Sequence, residues 1–223
     1  MTTSATVQGT TPRPSATTTS GLSGWLATKQ NRLIALGGLV VLVGVITALV
    51  ILSGQRKEAF AGRALDQARG IAESGNLPLA ASELQKVITT YGGTRAAQEA
   101  VITLNQVRLV NGQHELAVVG LEEFLKSGAA PQYRAPAYGL LGRALENAGR
   151  PAEAAKAYAD ASASGSTDYI RAEMLLDAGR AYRNAGQPEK AVESYRKVVN
   201  EYKDTPFRTE AEVRLAELEQ SAM

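Results

Sequence analysis

Residues 175–199 read LLDAGRAYRNAGQPEKAVESYRKVV, and this stretch decides the fold. Leu175, Ala178, Gly179 and Tyr182 recur at three- and four-residue steps, the period of one face of a helix. The run halts at Asn184-Ala185-Gly186-Gln187-Pro188. Glycine after the last periodic residue suits a left-handed C-terminal cap, and proline suits the first turn of a following helix. Ala191, Tyr195 and Val198 then restart the helical period. Two helices around a tight turn are expected. The alanine lets the second helix (B) approach the first (A), and the bulky residue four positions later is expected to fill the gap between successive units.

The same register extends towards the N-terminus. Gly75, Gly112, Gly149 and Gly186 are spaced 37 residues apart. Ala80, Ala117, Ala154 and Ala191 follow five residues later, then Leu84, Leu121, Tyr158 and Tyr195, then Val87, Phe124, Ala161 and Val198. Pro78, Pro151 and Pro188 stand just past three of the glycines. Such self-similarity is the signature of stacked helix pairs that bury one continuous core. The register predicts A helices near 57–74, 95–111, 134–148 and 170–185, and B helices near 78–90, 114–126, 151–163 and 188–202. From Pro206, PFRTEAEVRLAELEQ places Ala211, Val213, Leu215 and Leu218 among many charges, as expected of a helix that caps an open stack.

With these residues in place, the last two units resemble tetratricopeptide repeats. Leu175, Ala178, Gly179, Tyr182, Ala191, Tyr195 and Val198 fall at that family's signature spacing, as do Tyr138, Leu141, Gly142, Leu145, Ala154, Tyr158 and Ala161. Units one and two depart from it. Their small A-helix residue becomes Ala68 and then Asn105, and Arg108 replaces an apolar residue. The resemblance implies an all-α, right-handed solenoid of four helix pairs with a capping helix.

Ahead of the repeats, Leu33–Leu52 reads LIALGGLVVLVGVITALVIL without a charge. At about 1.5 Å per residue this helix spans roughly 30 Å, the thickness of a bilayer's hydrocarbon core. Arg32 and Arg56 flank it, where they can snorkel, and Trp25 is placed near the headgroups. A core helix of a soluble protein does not need to be apolar all round. A cleavable signal peptide is the stronger alternative, because Ala59-Phe60-Ala61 has the A-x-A form, but the apolar run exceeds the usual ~7–15 residues. The layout is therefore a Thr/Ser-rich disordered tail over 1–28, a transmembrane helix over 29–54, four repeats over 55–206 and a capping helix over 207–223. Lys29 and Arg32 precede the span and Arg56, Lys57, Arg63 and Arg69 follow it. Lys and Arg alone thus mildly favour a cytoplasmic C-terminus, but large domains translocate largely regardless of charge, so orientation stays open.

The chain of 223 residues is 44% hydrophobic, 21% charged and free of cysteine, a composition that folds and builds no disulfide or thiolate site. Arg13, Lys29 and Arg32 precede residue 33 without any acid, leaving 21 basic and 22 acidic residues in the remainder. A near-neutral body argues against nucleic acid, which demands a dense basic patch. One histidine, His114, and no cysteine argue against a transition-metal site. No phosphate-cradling loop or nucleophile constellation is present, so no enzyme activity, cofactor or small-molecule substrate is expected.

A tetratricopeptide-like fold implies a groove lined by the A helices. Gln106, Arg143, Asn147, Arg180, Arg183 and Asn184 are its candidate peptide-binding residues, expected to be free of packing. Arginine and asparagine can bond a peptide's backbone or carboxylates. The arrangement of tail, one membrane helix and repeats is similar to the ancillary subunits of the bacterial Sec translocon. That resemblance implies a cytoplasmic N-terminus, periplasmic repeats and a chaperone or scaffold role towards secreted polypeptides. EYKDTPFRTEAEVRLAEL also resembles repeat ends in periplasmic proteins of barrel assembly and of Tol-Pal-associated division. The alternative partner is a membrane-protein complex gripped by the anchor, where Gly37, Gly38 and Gly44 offer small-residue faces.

Overall fold

The computed structural model describes residues 29–221. The expected disordered tail over 1–28, Trp25 and the Arg32 side chain lie outside the described residues and side chains. The described chain is helical: α1 (Lys29–Glu73), α2 (Leu77–Thr90), α3 (Arg95–Val110), α4 (His114–Lys126), α5 (Pro131–Asn147), α6 (Pro151–Ala163), α7 (Asp168–Asn184), α8 (Pro188–Glu201) and α9 (Phe207–Ser221). By backbone contacts it divides after Ser53 into two compact units.

In the first unit, Leu36–Leu52 of α1 is exposed at every position. This apolar segment is not a core helix of the chain, and it is long and apolar enough to cross a membrane. Ser53-Gly54 does not interrupt α1, and the Ser53 hydroxyl donates to the Val50 carbonyl at 2.9 Å.

In the second unit, the end of α1 shares an apolar cluster with α2 through Ala61, Leu65, Ala68, Leu84 and Val87. Helix α3 pairs with α4, α5 with α6 and α7 with α8, and α9 covers α7 and α8. Each pair turns through a glycine with positive φ: Gly75 (87°), Gly112 (72°), Gly149 (74°) and Gly186 (68°). At the last three turns the residue after the glycine donates back to the final helical turn. Gln113 N bonds Arg108 O, Arg150 N bonds Leu145 O, and Gln187 N bonds Tyr182 O, each within 2.9 Å. These are Schellman closures, which satisfy carbonyls the helix end leaves open. Proline occupies the first turn of α2, α5, α6 and α8. Helix α5 begins three residues before the expected position, at Pro131, and carries Pro136 inside.

All twelve repeat positions from the alanine, bulky and following apolar columns are buried, Ala80 and Val198 completely. The bulky column lies on the small A-helix residue of its own pair, and Tyr158 and Tyr195 also share apolar clusters with Ala178 and Ala211 of the following helices. A Cβ on Gly142 would come within 2.6 Å of the Tyr158 ring, and one on Gly179 within 2.5 Å of Tyr195. Unit two makes the opposite exchange. Asn105, fully buried, takes the small position, and the facing B helix recedes to Gly120, where a Cβ would meet Asn105 Oδ1 at 2.8 Å and Arg108 Nη1 at 2.6 Å. The core is correspondingly strung out as three successive apolar clusters.

The first pair is riveted to the second. Lys57 donates to the Gly92 carbonyl at 2.8 Å, while the Glu58 carboxylate accepts from Arg95 N and Ala96 N at 2.9 Å each. The carboxylate thus sits at the α3 N-terminus, where exposed N–H groups and the helix dipole favour negative charge.

Replacing Gly179 with alanine should lower stability by about 1–3 kcal/mol, because the buried tyrosine ring cannot withdraw. The same change at Gly70 of α1, where a Cβ meets nothing within 4 Å, should raise it by about 0.5–1 kcal/mol through helix propensity. Thermal and urea unfolding of the two variants checks the opposite signs.

Candidate functional site

The 37-residue period arranges the exposed faces of the A helices in columns. Arg69, Gln106, Arg143, Arg180 and Glu217 occupy one repeat position, and Ala72, Leu109, Glu146 and Arg183 occupy another. Across successive helices the second column meets the first, 34 residues on. Arg180 grips Glu146 with two bonds, Nη1 to Oε1 at 2.7 Å and Nη2 to Oε2 at 3.2 Å. One unit later the charges are reversed, and Arg183 Nη1 donates to Glu217 Oε2 at 3.2 Å. At the two earlier junctions the second column is apolar, with Ala72 before Gln106 and Leu109 before Arg143. No ion pair is possible there.

This ladder sorts the six candidates. Arg180 is not free as expected: besides Glu146 it donates to Asp177 Oδ1 at 2.9 Å. Burial opposes its charge, but the bonds to Asp177 and Glu146 outweigh that and raise its pKa. Arg183 is also consumed, by Glu217. Single-residue reading missed both pairs because each acid lies one unit away, on another helix. The signal was present as opposite charges 34 residues apart. Gln106, Arg143, Asn147 and Asn184 are exposed. Among the described residues, Arg143 has no hydrogen bond or ion pair.

Two recesses open on this face. One of about 410 Å³ lies between α1 and α3, where Ala72, Leu77, Val107 and Val110 supply apolar walls and Arg69, Thr103 and Gln106 supply polar groups. Arg69 is itself tied across units to Glu99 at 2.6 Å. The other, of about 220 Å³, lies among α7, α8 and α9 and includes Glu173, Arg180, Tyr195 and Arg214. Sequence reading missed both, because each is assembled from residues one unit apart. A larger recess, about 510 Å³, opens among α6, α7 and α8. There Lys190 donates to Gln187 Oε1 and stands over the Tyr182 ring at 5.5 Å.

The two buried tyrosines differ in one atom's surroundings. The Tyr158 hydroxyl donates to Glu146 Oε2 at 2.8 Å. Burial, with help from that carboxylate, raises its pKa. At the equivalent point one unit on, Arg183 replaces Glu146, and the buried Tyr195 hydroxyl has no partner among the described residues. Arg108 is the departure in unit two: half-buried, it bonds Asn105 Oδ1 at 3.1 Å and the Leu116 carbonyl at 3.2 Å, and burial lowers its pKa. Among the described residues, no group of His, Asp and Glu side chains could hold a metal ion.

Comparison with known proteins fits this geometry. Tetratricopeptide-repeat family models match residues 135–162 and 173–205, within units three and four. Among solved structures, nearly identical TPR-like repeats related to a kinesin light chain from Podosopora anserina are 22% identical. They cover 72% of this chain and 85% of that one, with a TM-score of 0.57. The MamA protein is 21% identical, covering 71% and 89%, at 0.53. A tetratricopeptide repeat protein from Parabacteroides merdae is 11% identical, covering 72% and 60%, at 0.58. At such identities these likenesses establish the fold alone. No curated protein sequence matches the chain.

Tyr158→Phe should cost about 1.5–3 kcal/mol, the net worth of a hydrogen bond to a charged acceptor, whereas Tyr195→Phe should be neutral or stabilising because no bond is lost. Chemical denaturation of both variants, read by circular dichroism, checks the contrast.

Proposed function

We propose that the chain is a non-enzymatic, membrane-tethered polypeptide-binding protein that uses the A-helix face of its repeats as a groove. The observation that carries this reading is the break in the charge ladder. Where Arg180 and Arg183 of unit four are neutralised by Glu146 and Glu217 of the neighbouring helices, Gln106 and Arg143 follow Ala72 and Leu109 and keep their donors for a ligand. Beside Gln106 lies the 410 Å³ recess with its apolar walls. Apolar pockets for side chains and free donors for backbone or carboxylate oxygen are what an extended peptide needs.

The exposed apolar part of α1 is the membrane tether of this proposal. A cleaved signal is disfavoured because its cut would fall inside the fold. Ala61 is fully buried within α1, and the Lys57 and Glu58 rivet lies just before it. In this reading the N-terminus is cytoplasmic, and the repeats work in the periplasm as a chaperone or scaffold near the inner-membrane translocon. Resemblance to the ancillary Sec subunits supports that placement.

A second reading makes the chain a structural subunit whose anchor and outer repeat surface form the contacts. One observation favours it. Leu79 and Leu116, at the same repeat position of α2 and α4, and Val119 are exposed, where units three and four carry Glu153, Lys190 and Lys156.

Replacing Arg143 and Gln106 together with alanine should reduce in vivo crosslinking of nascent secreted polypeptides at least fivefold without lowering the melting temperature. If crosslinking persists in that variant and is lost in Leu79→Glu with Leu116→Glu, the outer-surface reading replaces the groove. Paired reporters fused after Met223 should be active only outside the cytoplasm. Activity of the cytoplasmic reporter would remove the translocon-associated role.

A further inference from the structure

The recess among α7, α8 and α9 carries a charge imbalance that its own residues do not resolve. Its lining holds two arginines and three carboxylates. Arg180 is matched by Glu146 and Asp177, and Arg214 by Glu210 and Glu217. Glu173 is left over: among the described residues it makes no hydrogen bond or ion pair. Register adds that this is a vacancy in a pattern. Glu173 stands two units beyond Glu99, which receives Arg69 at 2.6 Å from the preceding A helix. The corresponding arginine for Glu173 is Arg143, which makes no such bond.

A second, independent observation points into the same recess. Tyr195 lines it, is 1% exposed, and has a buried hydroxyl without a partner. Buried polar atoms are satisfied in nearly all native structures, so an orphan beside an open recess marks a place where a ligand atom belongs. The remaining walls are Leu176 and Phe207, the latter held edge-on against Tyr169 with centroids 4.8 Å apart.

Resting on the polypeptide-groove reading, we infer that this recess is a specificity pocket for a basic side chain, lysine or arginine, of the bound polypeptide. Its volume of about 220 Å³ falls below the roughly 300 Å³ at which pockets for whole small molecules begin. It suits one side chain. The cation meets the unmatched Glu173 carboxylate and donates to the Tyr195 hydroxyl. The aliphatic stem lies on Leu176, and the Phe207 ring adds a cation–π contact. An incoming carboxylate would instead meet three carboxylates, with both arginines already bonded.

The test uses the full-length chain in detergent micelles and fluorescein-labelled nine-residue Ala/Gly peptides with lysine, norleucine or glutamate at the centre. Anisotropy should show the lysine peptide binding at least tenfold more tightly than the norleucine peptide, with glutamate weakest. Glu173→Gln and Tyr195→Phe should each reduce the lysine-to-norleucine ratio below threefold while remaining folded by circular dichroism. Equal binding of lysine and norleucine peptides, still dependent on Arg143, would overturn the pocket and leave the groove standing. So would a ratio unmoved by Glu173→Gln, or a preference for glutamate. Absence of binding by every peptide would remove both.

Discussion

Everything in the repeat region depends on how closely the two helices of a pair can approach. An alanine on each B helix and a small residue on three of the four A helices set that distance, and the bulky B-helix residue closes over the gap. The contact is tight enough that the two tyrosines leave no space for one methyl group on the glycines beneath them. Native interiors are packed to this density, so a change in one partner must be answered by the other. Unit two shows the answer: a buried Asn105 on the A side is matched by Gly120 on the B side, and the spacing of the pair survives an exchange of sizes.

Once that spacing is fixed, the faces left over follow. Successive A helices bring together residues 34 positions apart. The chemistry at those meeting points varies along the stack from apolar to ionic and then to reversed ionic. The ion pairs are partly exposed, so each contributes little to stability, on the order of 1 kcal/mol or less. Their larger effect is to decide which donors remain unsatisfied, and so where a ligand finds partners.

The fold was legible because its determinants are local or strictly periodic. Gly186, Pro188, Ala191 and Tyr195 each report on a turn or a pair within one stretch, and repetition at 37 residues multiplied the signal. The charge-free run before Gln55 was equally plain. The site was less legible. Arg180 and Arg183 read as free groove residues because their acids lie on another helix, and a side chain's availability depends on its neighbour in space. The beginning of α5 at Pro131 was missed for a related reason. Proline and glycine weaken a helix locally, but packing and flanking turns outweigh that bias.

The reversal of charge between Glu146–Arg180 and Arg183–Glu217 gives the stack a grammar. Units of a repeat protein are usually thought of as interchangeable beads, yet these joints are keyed. Excising unit four so that α9 followed unit three would set Glu146 against Glu217, acid against acid. Doubling unit four would bring Arg183 of one copy against Arg180 of the next. The order of the units is therefore written into their joints, and the terminal helix is cut to fit one predecessor.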